Sequence, residues 1–305
     1  MSVVIRPATE HDLPDSYDVQ QEASIAKGLQ IGNVGGPNDG RVPAKFRHEL
    51  QHGRFLVAEV GGRIVGFGAV FERGDIAFLA TFYVRPDAQI AGLGVGQKLL
   101  DDLFDVPAGV RCVVSSHVYR ALALYARNGL LPRWPLLMLE GRSTELDLPP
   151  IPGVSVEPTD PDDPELISWD ADIAGRGVRP VDQRYWLNEY AASPYWIRRN
   201  GARIGYGYIQ RLFESADAPW HPDTVLLGPI GVRKVSESVG AVVALVDAAQ
   251  SMAPRILIDM PGAHPALPSV LTAGFRIHYQ ATFCSSAACP PFDPRRYVPA
   301  DTITF

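Results

Sequence analysis

The sequence predicts an α/β protein built from one unit used twice, and three observations carry that reading. Strand-like and helix-like segments alternate through residues 55–140. The same order of segments returns through residues 195–284. Between them lies GRSTELDLPPIPG (141–153), polar and proline-rich as a linker is.

The elements of the first half follow in order. FLVAEVGGRIVGFGAVF (55–71) is two apolar runs around Gly61-Gly62, a hairpin signal. DIAFLATFYV (75–84) is the next strand. QIAGLGVGQ (89–97) then opens onto a helix whose Leu99, Leu100 and Leu103 form one apolar face. VRCVVSSHV (110–118) reads as a strand, YRALALYARNGL (119–130) as a helix ended by Gly129, and WPLLMLE (134–140) as a strand.

The second half repeats this. YWIRRNGARIGYGYI (195–209) is a hairpin around Asn200-Gly201, and DTVLLGPIGV (223–232) is a strand. SESVGAVVALVDAAQ (236–250) is a helix, RILIDM (255–260) a strand, PALPSVLTAGF (265–275) a helix ended by Gly274, and RIHYQATFC (276–284) a strand. GGRI (61–64) matches GARI (201–204), YVRP (83–86) matches GVRK (231–234), and Gly129 matches Gly274, at offsets of about 140–148.

The glycines at 92, 94 and 96 are the informative residues. Glycine loses more backbone entropy on folding than any other residue, so alternating glycines point to unusual backbone angles or close approach of a ligand. Amides at a helix start, with the helix dipole behind them, attract phosphate. The corresponding stretch of the second half, KVSESVGAVV (234–243), has lost the alternation, and Tyr125 maps onto Val270. A turn needed only for folding would persist wherever the same strands and helices persist. Chemistry is therefore expected in the first copy.

Composition excludes several classes. A net charge of −6 disfavours a nucleic-acid partner, which requires clustered Lys and Arg. No apolar run approaches the roughly 20 residues needed to cross a bilayer, and the N-terminus lacks a signal-peptide core. The three cysteines form no C-x-x-C pair, which argues against a disulfide framework or a thiolate metal site and for the reducing cytoplasm. The glycine spacing is not the G-x-G-x-x-G of dinucleotide folds, no G-K-[ST] marks a P-loop, and no cluster with metal-ligand spacing is present.

Strand, V-x-P (84–86), glycine loop, helix, strand and the helix carrying ALALYARNGL together resemble the GCN5-related N-acetyltransferases, the GNAT superfamily. The first copy is similar to that family over residues 3–140, and the second to a degenerate member. The resemblance implies two tandem GNAT-like domains of α+β type, each a mixed, mainly antiparallel sheet flanked by helices. The expected domains are 1–142, which is catalytic, and 153–305, a degenerate copy with a structural or acceptor-pocket role, joined by a linker at 143–152.

The family's pyrophosphate loop, Q/R-x-x-G-x-G/A, fits Gln89-x-x-Gly92-x-Gly94 as written. The helix register instead favours Gly96 as the last motif glycine, with Ala91 at the Gln/Arg position. The resemblance thus implies acetyl-CoA as co-substrate, without a metal, bound through Phe82, Tyr83, Val84, Gln89, Ala91, Gly92, Leu93, Gly94, Val95, Gly96 and Gln97. It implies direct attack by an amine on the thioester, with the Val84 amide facing the developing oxyanion and Tyr125 protonating the departing thiolate. ATFYV offers no carboxylate base, with Glu72 and Asp75 farther upstream. His117 is the candidate base, or else a structural strand-end histidine.

The expected partner is a small, partly apolar amine, with neither nucleic acid nor membrane. A noncatalytic acyl-CoA-binding or regulatory module is the alternative. Trp169, Tyr185, Trp186, Tyr195, Trp196 and Trp220 form either a core or a wall of the acceptor pocket, and residues 22–41 are a second candidate wall. Oligomeric state and acceptor identity leave no signature.

Overall fold

The computed structural model describes residues 2–30, 41–215 and 221–302. The GNVGGPNDG run (32–40) and Trp220 lie outside them. Contacts divide the chain into two units, one of residues 1–113 and 118–131, the other of 114–117 and 132–305.

The first unit comprises β1 (Val3–Pro7), α1 (Leu13–Gln30), α2 (Ala44–His52), β2 (Arg54–Val60), β3 (Arg63–Arg73), β4 (Ile76–Val84), α3 (Pro86–Ile90), α4 (Val95–Leu103), β5 (Val110–Ser115) and α5 (Tyr119–Arg127). β1 and α3 are absent from the sequence reading. Strands β1 to β4 pair antiparallel in chain order, and β5 joins β4 in parallel. The β2–β3 hairpin turns at Gly61 and Gly62, both at positive φ, as a two-residue turn matched to strand twist requires.

Arg6 on β1 clamps two elements at once. It donates to both carboxylate oxygens of Asp12, at 2.8 and 2.7 Å, and through Nε to Glu59 on β2 at 2.9 Å. That guanidinium holds the Asp12 carboxyl well below the usual carboxylate range. β3 is buried along eight consecutive residues, so both its faces are covered. On one face Phe46, Phe55 and Phe67 pack with Leu13 and Tyr17. Burying each such ring contributes roughly 1.5–3 kcal/mol. On the other face lie Leu99, Leu100 and Leu103, all essentially inaccessible.

The second unit comprises β6 (Leu131–Arg142), β7 (Val154–Pro158), α6 (Pro164–Ala174), α7 (Pro180–Glu189), β8 (Ser193–Arg199), β9 (Ala202–Arg211), β10 (Thr224–Val232), α8 (Ser238–Gln250), β11 (Arg255–Pro261), α9 (Leu267–Thr272), β12 (Arg276–Ser285) and β13 (Tyr297–Val298). Its strand order is β12-β6-β11-β10-β9-β8-β7, with β13 also on β10. Here β10 and β11 form the parallel pair. Helix α8 is apolar almost all round and is buried accordingly, with Ala241, Leu245, Val246 and Ala249 at zero exposure.

The units do not divide at the expected residue 142. β6 pairs antiparallel with β11 from Leu136↔Pro261 to Arg142↔Arg255, so the last strand of the first repeat belongs to the second unit. Nor does 143–152 run free as a linker. Ser143 and Asp147 bond through their amides to the carbonyls of Pro254 and Ala273, and Leu148 lies in the second unit's core.

Of the aromatic set singled out in the second half, the described residues are core. Trp169, Tyr185, Trp186, Tyr195 and Trp196 are all buried. Beside them Asp170 accepts two hydrogen bonds from Arg179, both at 2.9 Å, and one from Tyr206 at 2.8 Å. Removing one partner of such a buried pair costs more than the pair contributes.

Asp259 on β11 is buried, and its carboxyl is pushed up to about 7, first by burial and then by the charge of Asp301. A carboxyl whose folded-state value is raised favours the fold when protonated, so its contribution is lost as pH rises from about 4 through about 7. The Asp259→Asn variant should therefore gain on the wild type across that range. The relative change in unfolding free energy is on the order of 4 kcal/mol, read by urea titrations at pH 4, 5.5 and 7.

Candidate acyl-CoA site

The site begins with a strand pair that separates. β4 and β5 pair in parallel from Ile76↔Val110 to Leu79↔Val113, and no farther. Just beyond, the β3–β4 register shifts between Ala69↔Thr81 and Val70↔Leu79, leaving Ala80 as an extra residue. Such a bulge bends its strand and sharpens the twist, which carries the rest of β4 away from β5.

The separation has a consequence for the backbone. Arg85 donates its N–H to the carbonyl of Val65 at 2.8 Å, so Arg85 and Val65 are a hydrogen-bonded pair. Antiparallel ladders alternate, which makes Val84, opposite Gly66, and Phe82, opposite Gly68, non-bonded positions toward β3. Their N–H groups point to the side that β5 has left.

Pro86 sits at the first position of α3, where its missing N–H costs nothing. Gln89 lies within this short helix, not in a loop. Its side chain donates to the Val84 carbonyl at 2.6 Å and accepts from Arg120 of α5 at 3.1 Å. Gln89 thus pins the end of β4 to α5. The N–H of Ala91 bonds to the Asp87 carbonyl at 3.1 Å and so is not offered to a ligand, contrary to the sequence reading.

The loop proper is Gly92-Leu93-Gly94. Gly92 and Gly94 have φ of +66° and +68°, and a Cβ at either would meet nothing within 4 Å. The glycines serve backbone conformation, and the space above them is open. Gly94 caps α4, and Lys98 is the first residue to bond back, to the Gly94 carbonyl at 3.1 Å. The N–H groups of Val95, Gly96 and Gln97 precede it and belong to the helix start. α4 therefore begins at Val95, with Gly96 inside its first turn.

Gly96, Phe82, Val84 and α5 converge. A Cβ at Gly96 would lie 3.6 Å from Leu124, 3.9 Å from Phe82 and 4.0 Å from Val84, which are ordinary contacts. Phe82 meets the ring of Tyr125 edge-on at 6.2 Å between centroids. Tyr125 is 4% exposed, one turn before the cap residue Asn128. Asn128 exchanges two side-chain hydrogen bonds with Gln97, at 2.8 and 3.2 Å, tying the start of α4 to the end of α5. Tyr83, on the opposite face of β4, stacks on Phe67 at 5.7 Å and serves the core.

The first unit thus brings Phe82, Val84, Gly92 to Gln97 and Tyr125 together. His117 falls in the second unit, where its ring lies 5.2 Å from Tyr279 and its buried Nε2 has no hydrogen-bond partner among the described residues. Asp75 accepts the Gly109 N–H at 2.7 Å, at the end of β4 remote from Val84. A carboxylate does reach β4, from α2: the fully buried Glu49 accepts the hydroxyl of Thr81. Neither that contact nor the Gln97–Asn128 pair has a sequence signal, since the partners lie 32 and 31 residues apart. Among the described residues no group of three His, Cys, Asp or Glu could hold a metal ion, and no helix is long and apolar enough to cross a membrane.

The backbone geometry separates the glycines by role. Gly94→Ala should cost about 1–2 kcal/mol for placing an L side chain in the left-handed region. Gly96→Ala, at a helical position with room for a methyl, should be neutral or stabilising by up to ~1 kcal/mol. Chemical denaturation of the two variants distinguishes them; equal losses would refute this loop register.

The same architecture occurs in known proteins. Residues 51–129 match the family model of the acetyltransferase (GNAT) domain. No curated protein matches the chain in sequence. A Pyrococcus horikoshii protein carrying a provisional acetyltransferase name superposes with a TM-score of 0.72 at 16% identity, covering 99% of this chain and 96% of that one. A GCN5-related N-acetyltransferase from Sphaerobacter thermophilus gives 0.60 at 15%, covering 93% and 95%. A tandem GNAT protein from the clavulanic acid biosynthesis pathway gives 0.59 at 14%, covering 95% and 99%. The chain has the fold of the GNAT proteins, and residues 51–129 carry the match to their acetyltransferase domain.

Proposed function

We propose that the first unit is an acetyl-CoA-dependent N-acetyltransferase acting on the amine of a small molecule, in the cytoplasm. The observation that carries this is the continuity of donors along one path. The outward amides of Phe82 and Val84 lead into the open glycine turn and then into the first amides of α4. A pantetheine arm pairs with strand-edge amides as another strand would, and a pyrophosphate suits a helix start.

Acetyl-CoA supplies the activated acyl group. The chain's own part is positional and electrostatic. Val84, fixed at its carbonyl by Gln89, presents an N–H where charge develops on the carbonyl oxygen. The amine nitrogen forms its bond to the acyl carbon as the carbon–sulfur bond breaks. Tyr125 gives the hydroxyl proton to the departing sulfur and regains one from the amine through solvent. Its edge contact with Phe82 holds the ring against β4.

For the acceptor, a groove of about 380 Å³ lined by Glu22, Ile25, Ala26, Pro86 and Asp87 borders the end of β4. It combines apolar surface with two carboxylates, themselves paired with Arg85 and Arg63. That mixture supports a partly apolar amine over a strongly basic peptide.

Tyr125→Phe keeps the ring and its packing. Turnover should fall roughly 10²–10⁴-fold with acetyl-CoA affinity nearly unchanged, in a thiol-release assay over a panel of amines alongside calorimetry. Full activity would make the tyrosine a bystander. Binding of one acetyl-CoA per chain with no turnover on any amine would leave a noncatalytic acyl-CoA-binding module. Gly94→Val, which places a branched side chain on the open turn, should weaken acetyl-CoA binding by about 2 kcal/mol or more.

A further inference from the structure

The second unit contains the same separating strand pair. β10 and β11 pair in parallel from Thr224↔Arg255 to Leu227↔Ile258, four residue pairs as in β4 and β5. Beyond Leu227 the β9–β10 register also shifts, and β10 continues without β11 through Ile230 to Val232, still paired with β9. In the repeat, Ile230 and Val232 stand where Phe82 and Val84 stand in the first unit.

Those positions are occupied by the chain itself. β13 runs antiparallel to β10, pairing Ile230↔Val298 and Gly231↔Tyr297. The N–H of Val232 bonds to the Arg296 carbonyl at 3.0 Å. By the alternation of antiparallel ladders, Ile230 and Val232 are then the bonded positions toward β13. The donors left open at Phe82 and Val84 are thus taken in the second unit by residues 296–298.

The segment is held along its length. Gln210 donates from one amide nitrogen to the carbonyls of Gly228 and Ala300, at 2.8 and 2.9 Å. The Tyr297 hydroxyl accepts from Arg176 at 3.0 Å and Arg179 at 2.7 Å, and Phe292 packs edge-on against Trp134. At the start of α8, the Ser238 hydroxyl donates to the Arg295 carbonyl at 2.6 Å. No glycine turn precedes that helix; a 3-10 turn, Val235–Glu237, stands there instead. Tyr297, Val298 and Ala300 have zero exposure.

We infer that residues 292–301 are a built-in surrogate ligand, a strand that seals the second copy's cleft and bars a thioester cofactor from it. Only the identity of what the segment replaces rests on the function proposed for the first unit. The seal leaves one acyl-CoA site per chain and makes the tail part of the second unit's core.

Residue-resolved hydrogen exchange on the full chain, with and without acetyl-CoA, tests this. The amides of Ile230 and Val232 should exchange as slowly as the β9–β10 ladder and should not respond to acetyl-CoA. Rapid exchange there, or new protection on adding acetyl-CoA, would overturn the inference. The amides of Phe82 and Val84 should exchange fast alone and slow with acetyl-CoA; their indifference would refute the proposed function while leaving the seal intact. Val298→Pro removes a β13 donor and should speed exchange at Ile230 and Val232 by about tenfold or more. Acetyl-CoA affinity should stay within about twofold of wild type. Unchanged exchange in that variant would also count against the seal.

Discussion

Parallel strands that part leave backbone donors with no ladder partner, and this single constraint organises both units. A buried, unmet N–H costs about 1–3 kcal/mol, so something must stand opposite each one. β4 parts from β5 after Leu79, and β10 parts from β11 after Leu227. In the second unit the chain's own strand answers the need. In the first unit the same amides open beside a glycine turn and a helix start. One backbone device thus yields an intramolecular strand in one copy and a candidate ligand cleft in the other.

The side chains around the first cleft act mainly by fixing backbone. Gln89 ties the Val84 carbonyl to Arg120, and Gln97 and Asn128 tie the start of α4 to the end of α5. Each is a polar contact between elements that packing alone would leave able to slide. Electrostatic stabilisation depends on donors that need no reorganisation, so rigidity of this kind is the property a transfer site requires. The buried Arg179–Asp170 pair and the tyrosines around it make no such opening. They fix the second unit's core to its terminal segment.

Local signals in the sequence determined local structure well. Gly61-Gly62 and Asn200-Gly201 marked both hairpins, because few residues other than glycine and asparagine adopt positive φ readily. Leu99, Leu100 and Leu103 marked the buried face of α4, and the loss of alternating glycines at 234–243 marked the second copy as different. The repeat itself was legible because each copy spells the same order of periodic segments. The short helix α3 was missed: Pro86 opens it, which removes Gln89 and the Ala91 amide from the loop.

What only the tertiary structure decided is long-range pairing. β6 reads as the last strand of the first repeat, but a strand's partner is chosen by which edge is available, and β11 takes it. β13 is two residues long, too short for any periodicity, and acquires its strand only from the β10 edge. The carboxylate of Glu49 meets Thr81 only because α2 packs across the sheet. The sequence alone determined the kinds of element, their order, the repeat and the position of the glycine turn, since these depend on neighbours along the chain. Which strand edges are met, and by what, depends on neighbours in space.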